Sequence, residues 1–233
     1  MIFKTLIENI FKKLKKRKVV VYSAIFGNYD ELNEPPEERR DIDYIIFTDN
    51  KNLKSKFYKV IACKPISSDP ARSAKIYKIM PHLFLSNYDY SVWIDGSVLL
   101  KSGFHKLIDL CIKNNYEMAF FKHPERDCIY QEGEACINYK KDESNIIKKQ
   151  ISKYRRENYP EHNGLISGGF IFRKNKSSRV IAINKYWWEE IKNYSKRDQL
   201  SFNYVAWRYN FIYQVINDEI WDNQYFKVLE HRK

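Results

Sequence analysis

The sequence is poor in glycine and has no long apolar stretch. It has seven glycines, about 3% of the chain against an average near 7%, so each glycine has a raised chance of marking a special backbone position. No apolar run approaches the roughly 18 residues that a membrane-spanning helix needs. The first residues also lack the small-residue cleavage site of a signal peptide. Hydrophobic residues make up 44% and charged residues 30% of the chain, which predicts a globular protein. The lack of a spanning segment and of a signal peptide predicts that it is cytoplasmic, either free or peripheral on the inner face of a membrane.

Several familiar motifs are missing as well. The sequence contains no GxxxxGK[ST] loop, no GxGxxG and no HExxH, which are common signatures of nucleotide and zinc sites. It shows no helix-turn-helix, zinc-finger or RNP pattern, so we expect no nucleic-acid partner. The cysteines form no CxxC pair, and a chain of this size can fold without disulfides. They are predicted to be free thiols: Cys63, Cys111, Cys128 and Cys136.

Charge is unevenly distributed along the chain. The formal net charge is +12. Residues 1–18 hold half of that excess, because they contain seven basic residues and one acidic residue, Glu8. Apolar residues in the same segment follow a helical stripe. Residues 1–17 are therefore predicted to form a basic amphipathic helix. Residues 1–16 would either bind an anionic membrane surface or pack on their own domain or a second subunit of a homo-oligomer.

The remaining residues, 18–233, are predicted to form a single α/β domain. Apolar and β-branched runs predict strands at residues 18–25, 43–48, 58–63, 90–95, 117–121 and 165–172. Helical spacing predicts helices at residues 70–85, 104–114, roughly 135–157, 177–194 and 199–210. The polar stretch 138–161 is predicted to be a flexible excursion. This alternation predicts an α/β sandwich with a mostly parallel central sheet, in which Gly27 and Gly96 follow strands at the same rim.

A carboxylate at one predicted strand end could carry chemistry. Asp95 ends the strand 90–95 and precedes Gly96 and Ser97. At that position it could hold a divalent cation beside a diphosphate, since such cations take oxygen ligands. The alternative is an ordinary Asp-Gly turn.

Two other segments could serve the same ligand. Asp49 directly follows the second predicted strand, where it could bind a base or ribose or could instead cap a turn. Arg72 and Lys75 lie three residues apart at a helix start, and cations there call for a carboxylate or an anion such as a diphosphate. The alternative for this pair is a solvated helix start.

Seven short segments, read in order, carry a resemblance to a known family. They are residues 21–30 (VYSAIFGNYD), 47–49 (FTD), 71–75 (ARSAK), 90–97 (YSVWIDGS), 122–132 (KHPERDCIYQE), 164–170 (GLISGGF) and 195–202 (SKRDQLSF). The chain resembles the TOD/MUCI-type glycosyltransferase-like family, formerly a domain of unknown function. The resemblance spans roughly residues 19–207 and leaves the basic N-terminal segment outside.

The resemblance implies a GT-A type three-layer α/β/α sandwich that binds a nucleotide-diphospho-sugar, often with Mn²⁺ or Mg²⁺. It implies a donor site made by Tyr22, Ala24, Phe26, Asp49, Arg72, Lys75, Asp95, Gly168 and Gly169. Asp95 would occupy the first position of an aspartate-x-aspartate motif, whose second aspartate is replaced here by Ser97, a weaker ligand. His231 would complete the metal set, although a terminal histidine is more often simply exposed.

The resemblance also implies roles near the transferred sugar. His123 and Arg126 would bind sugar or acceptor, with a satisfied loop histidine as the alternative. Asp198 and Gln199 would lie at the reaction centre, where Asp198 would act as base if configuration inverts. The alternatives are a helix cap at Asp198 and, at the paired glycines 168 and 169, a β-bulge at a sheet edge.

The resemblance thus implies a glycosyltransferase, a hexosyltransferase type of enzyme, that moves sugar from a nucleotide-sugar, with a UDP-sugar favoured, to a glycan or other hydroxyl acceptor. Polysaccharide or glycoconjugate biosynthesis would be its setting. The alternative is a non-catalytic nucleotide-sugar or glycan binding module held at a membrane surface, because a degenerate site would also read Asp-Gly-Ser.

Overall fold

The computed structural model describes residues 17–230. Except for Arg17, the helix predicted over residues 1–17 lies outside this range, and so does His231. Within the described part, no helix is both long and apolar enough to cross a bilayer. All four cysteines are free thiols, as predicted.

A seven-stranded sheet forms the centre of the molecule. Its strands lie in the order β3-β2-β1-β4-β7-β6-β8, and β5 pairs with β9 in a separate antiparallel ribbon. Four of the six neighbouring pairs in the large sheet are parallel, and only the two that involve β7 are antiparallel. The strands are β1 Val19–Ile25, β2 Ile42–Thr48, β3 Lys59–Ala62, β4 Tyr90–Ile94, β5 Val98–Leu100, β6 Met118–Lys122, β7 Ile166–Lys174, β8 Gln214–Ile216 and β9 Phe226–Val228.

Helices cover both faces of this sheet, so the predicted three-layer α/β sandwich is confirmed. They are α1 Pro70–Ile79, α2 Phe104–Lys113, α3 Ile129–Asn138, α4 Ser144–Arg156, α5 Ser178–Asn193 and α6 Phe202–Arg208. One apolar core packs one face of the sheet against five helices, namely α1, α3, α4, α5 and α6. The other core joins the opposite face to α2 and the β5–β9 ribbon. Strand β1 is buried along its whole length, as expected for a strand that is covered on both faces.

The parallel pairing of β1 with β4 fixes where the glycine turns lie. Val19 pairs with Tyr90 and Tyr22 with Trp93, so both strands end at the same edge of the sheet. Gly27 and Gly96 follow these ends, and the prediction that they share a rim is confirmed. Gly27 has φ +63, a left-handed conformation that favours glycine.

Some predicted elements have different boundaries. The helix predicted over 135–157 is two helices, α3 and α4, with Lys140 between them at φ 51. The prediction of a flexible excursion over 138–161 was wrong, because α4 lies there and buries Ile147 and Tyr154. The helix predicted over 70–85 ends at Ile79, since Pro81 cannot continue it, and a 3₁₀ turn Pro81–Leu83 follows.

Candidate active site

A cavity of about 1060 Å³ opens at the edge of the sheet where β4 and β6 end. Ligands of open α/β sheets bind at this edge, outside the carboxyl ends of the strands. Nine of the residues proposed from the sequence line the cavity: Lys75, Asp95, Ser97, His123, Arg126, Gly168, Gly169, Asp198 and Gln199.

Four charged side chains form an ion cluster against this cavity. Lys75 Nζ lies 2.7 Å from Asp198 Oδ1, and Lys78 Nζ lies 2.7 Å from Asp198 Oδ2. Lys78 also donates to Asp95 Oδ1 at 3.0 Å. We call Lys75, Lys78, Asp95 and Asp198 the lysine–aspartate cluster. Its charges balance, which allows it to be buried.

Helix α1 places both lysines of the cluster. The helix begins where Asp69 accepts hydrogen bonds from the backbone amides of Ala71 and Arg72, with Pro70 in the first turn, a favourable N-terminal arrangement. Lys75 and Lys78 are three residues apart and so lie on one face of the helix. The side chain of Lys78 is 2% exposed and that of Lys75 is 15% exposed.

Burial and pairing shift the ionisation of the cluster in opposite directions. Desolvation lowers the pKa of Lys75 to about 8, although Asp198 opposes this shift. Lys78 is also desolvated, but its two carboxylate neighbours outweigh burial and raise its pKa. Burial disfavours the charged form of Asp198, yet the two ammonium groups hold the pKa of that carboxyl far below its usual range. Of the two lysines, Lys75 is therefore the one that titrates nearer to neutral pH.

Strand β4 and its turn position Asp95. The Asp95 amide donates to the Gly169 carbonyl at 3.0 Å, and the Asp95 carbonyl accepts from the Val98 amide, also at 3.0 Å. The indole of Trp93 donates to Asp95 Oδ1 at 2.7 Å. One carboxylate oxygen of Asp95 thus accepts from both Trp93 and Lys78, while its side chain remains partly open to the cavity.

The paired glycines lie in an irregularity of β7, beside the cluster. The register of β6 on β7 shifts between Phe120 and Phe121, so the pairing is irregular here as a β-bulge requires, but the predicted position at a sheet edge was wrong because β7 lies between β4 and β6. A Cβ on Gly168 would lie 2.5 Å from Asp198 Oδ2 and 3.0 Å from Lys78 Nζ. Close approach to the cluster therefore requires glycine at position 168. At Gly169 the nearest atoms would be 3.9 Å away, so there is room for a side chain.

The helix-cap interpretation of Asp198 was wrong. Asp198 is the first residue of a 3₁₀ turn, Asp198–Leu200, and no side chain caps that turn. Its carboxylate points instead into the cluster. Its backbone carbonyl accepts hydrogen bonds from Trp187 and Ser201, which fixes the turn. Gln199 is held beside it by Arg197, whose Nη2 donates to Gln199 Oε1 at 3.0 Å.

A second polar group lies on another wall of the cavity. His123 Nδ1 accepts hydrogen bonds from the backbone amides of Glu125 and Arg126, so the proton of the neutral ring belongs on Nε2. That atom lies 3.6 Å from Glu132 Oε2, which accepts from Arg126 Nε at 2.7 Å. Burial lowers the pKa of His123, although Glu132 opposes the shift. A neutral imidazole and a paired guanidinium thus face the cavity.

Three proposed donor residues lie in the core rather than at the cavity. Tyr22, Ala24 and Phe26 are buried, and none of them is among the residues that line the cavity. Tyr22 donates to the Lys78 carbonyl at 3.3 Å, and Phe26 stacks on Tyr77. Tyr22 and Phe26 thus contact α1 from the core.

Two polar donor candidates have protein partners away from the cavity. Both carboxylate oxygens of Asp49 lie 3.1 Å from the Gly27 amide, so Asp49 holds the loop after β1. Arg72 donates to the carbonyls of Ile191 and Tyr194 at the end of α5. Its guanidinium therefore satisfies a helix C-terminus, and Arg72 does not lie at a solvated helix start.

Sequence reasoning missed Lys78 and Arg197, which both line the cavity. The spacing of Lys78 from Lys75 was the available signal, but lysine is rarely buried and the pattern does not reveal it. Arg197 precedes Asp198 in a segment that the sequence analysis quoted. Burial opposes its charge, but Asp198 and Glu132 raise its pKa.

The proposed metal ligands can be compared with this geometry. Asp95 and Ser97 line the cavity, whereas His231 lies outside the described residues. Between residues 17 and 230, no group of three or more His, Cys, Asp or Glu residues is arranged to hold a metal ion. The carboxylates of Asp95 and Asp198 both contact the Lys78 ammonium.

All the residues of this cavity fall within a match to a known family. A family model for the TOD1/MUCI70 glycosyltransferase-like domain matches residues 4–233. The chain belongs to this family. The resemblance inferred from the motifs is confirmed, but its predicted limits were wrong: the TOD1/MUCI70 match begins at residue 4 and so includes most of the basic N-terminal segment.

Two curated relatives from Arabidopsis thaliana are similar to the chain. Probable hexosyltransferase MUCI70 is 24% identical over 219 residues, which cover 81% of this chain and 37% of that protein. Alkaline ceramidase TOD1 is 23% identical over 227 residues, which cover 83% of this chain and 49% of that protein. The chain thus spans less than half the length of either relative. Together with the TOD1/MUCI70 domain match, the first relative supports a transferase at the family level.

Proposed function

We propose that this chain transfers a hexosyl group from a nucleotide-diphospho-sugar, with a UDP-sugar favoured, to a hydroxyl group of a glycan acceptor. The observation that carries the proposal is the lysine–aspartate cluster in a cavity at the carboxyl edge of an α/β sheet. A diphosphate leaving group gains negative charge during transfer, and fixed cations at that position stabilise it.

The walls of the cavity suggest how the substrates are arranged. The donor diphosphate would lie against Lys75 and Lys78, and the bulge at Gly168 would bring the backbone close to the same groups. His123 and Arg126 lie on a different wall, where their N–H groups could bind sugar hydroxyls. This arrangement would hold donor and acceptor side by side, which accelerates a two-substrate reaction.

The roles of Asp198 and Gln199 differ in this arrangement. A general base works best with a pKa near the operating pH, whereas two ammonium groups hold the pKa of Asp198 far below its usual range. Asp198 is therefore better suited to position the two lysines than to remove a proton. Gln199 is partly exposed and is the better candidate to contact the transferred sugar.

The test combines donor binding with turnover on the full chain. Calorimetry would measure binding of UDP and a panel of UDP-hexoses, and release of UDP would measure transfer to a glycan panel or to water. We expect Gln199→Ala to lower turnover while leaving the Kd of UDP unchanged. Gln224→Ala removes the same group at an exposed position away from the cavity and should leave both measurements unchanged.

The possible results separate three functions. Binding together with sugar release supports transfer. Binding without turnover on any acceptor or on water would favour the binding-module alternative. If no nucleotide-sugar bound and ceramide were hydrolysed in a parallel assay, the activity named for the TOD1 relative would replace the proposal.

A further inference from the structure

The metal-ligand set implied by the family resemblance does not fit the geometry of Asp95. Its Oδ1 atom already accepts from the Trp93 indole at 2.7 Å and from the Lys78 ammonium at 3.0 Å. A divalent ion on the same carboxylate would lie within a few ångströms of a buried ammonium group, and their repulsion is strong in a poorly solvated site. The second cavity carboxylate, Asp198, is held by two ammonium groups.

We propose that Lys75 and Lys78 bind the donor diphosphate directly, so that nucleotide binding does not require a divalent cation at Asp95. The proposal rests on the proposed function and assigns the charge-stabilising role at that same site. In this arrangement Asp95 and Asp198 are positioning residues, because they act on the donor through the lysines.

The donor capacity of the two lysines supports this assignment. An ammonium group has three N–H donors. Among the described residues, carboxylates contact Lys78 twice and Lys75 once. Both side chains line the cavity, so their remaining donors can reach phosphate oxygens there. Hydrogen bonds between an ammonium group and a phosphate are of the strong, charge-assisted kind.

Arg197 adds a positive charge beside the cluster. The positive and negative charges of the four cluster residues cancel, and the partly buried guanidinium of Arg197 lies beside Asp198 on the cavity wall. Gly168 also matters here, because any side chain at that position would collide with Asp198 and Lys78 and would disturb the cluster.

The experiment measures nucleotide binding after removal of metal. UDP and uridine would be titrated into the full chain in EDTA, in MgCl₂ and in MnCl₂. We expect UDP to bind with the same Kd in all three buffers. Lys75→Met and Lys78→Met should weaken UDP binding by about 10- to 100-fold, the loss expected for hydrogen bonds to a charged group, while uridine binding stays unchanged.

Controls separate a binding role from a structural one. Lys192 forms an exposed ion pair with Glu189, so Lys192→Met should leave UDP binding unchanged. If Lys78→Met fails to fold, as judged by circular dichroism, the less buried Lys75→Met carries the test. The comparison of UDP with uridine is specific to the phosphates, and a purely structural effect would weaken both ligands alike.

Two results would overturn the inference in distinguishable ways. UDP binding that is lost in EDTA and restored by MnCl₂, with normal affinity in Lys75→Met, would contradict the lysine assignment and leave the proposed function intact. Failure of UDP and of every UDP-hexose to bind in any buffer would overturn the proposed function and the inference together.

Discussion

Replacement of Asp198 by asparagine tests whether the lysine–aspartate cluster is ionised and buried. Asparagine has nearly the same shape, so packing is preserved and only the negative charge is removed. If Asp198 were a simple helix cap, this change would barely affect stability, because asparagine caps as well as aspartate. The ion cluster predicts a large loss, since both lysines would lose the Asp198 carboxylate and, among the described residues, Lys78 alone has a second carboxylate contact, with Asp95.

The size of the loss follows from burial. Asp198 is 2% exposed, and removing one partner of a buried ion pair destabilises a protein by about 3–5 kcal/mol. Deprotonation of Lys75 would relieve the unpaired charge, and its cost sets a similar upper limit on the loss of stability. Lys75 could lose its proton, but for a lysine whose ordinary pKa is 10.5, neutralisation at pH 7 requires about 5 kcal/mol. Asp198→Asn should therefore lower the free energy of unfolding by about 3–5 kcal/mol, a large fraction of the total for a domain.

Urea denaturation at pH 7 followed by far-UV circular dichroism measures this loss. The control is Glu189→Gln, which removes the same charge from an ion pair whose two side chains are 54% and 55% exposed; it should cost no more than about 0.5 kcal/mol. The double variant Asp198→Asn/Lys75→Met should be more stable than Asp198→Asn alone, because one uncompensated ammonium group has been removed. A loss below about 1 kcal/mol in Asp198→Asn would refute the reasoning, since a buried charged pair cannot be broken so cheaply.

Two further predictions concern the same cluster. Gly168→Ala should destabilise the protein by about 1–3 kcal/mol through overpacking, because its Cβ would lie 2.5 Å from Asp198 Oδ2. Gly169→Ala, whose Cβ would have its nearest atoms at 3.9 Å, should barely move the urea midpoint. Equal losses in the two variants would contradict the geometry of the paired glycines. The pKa of Lys75 is about 8 in the folded state against 10.5 ordinarily, so the unfolded chain binds more protons between these values and the free energy of unfolding should rise with pH. From pH 8 to pH 10 this group contributes a rise of about 2 kcal/mol, which Lys75→Met should lack in urea titrations; parallel curves for the two proteins would refute the shift.

Most of the sheet could be predicted from the sequence because its strands are long and apolar. Six strands, β1 to β4, β6 and β7, were predicted within a few residues of their observed bounds. The three that were missed, β5, β8 and β9, have three residues each, which is too short for an alternating pattern. Their pairing depends on distant segments, as when β5 joins β9. Such contacts do not appear in local sequence.

The candidate site was predicted less evenly, and side-chain direction explains the difference. Asp95 and Lys75 were expected near the ligand and do line the cavity. Arg72 lies only three residues before Lys75, yet it reaches the end of α5 instead. Sequence spacing gives the face of a helix but not which neighbour a long side chain will reach. Tyr22 illustrates a related difficulty, because side chains alternate between the faces of a strand and both faces of β1 are buried.

The position of the lysine–aspartate cluster is itself an argument for function. Buried ion pairs are weak stabilisers, and apolar residues of similar volume often stabilise a fold as well or better. Nothing in the packing requires charge here, since the cavity edge adjoins large apolar clusters on both faces of the sheet. The cluster lines an open cavity and includes Lys78, which is 2% exposed. It therefore contributes little to the stability of the fold that apolar side chains could not contribute. Binding of an anionic ligand explains why these four charges lie together at the ligand edge of the sheet, and it makes the affinity for UDP without metal the decisive measurement.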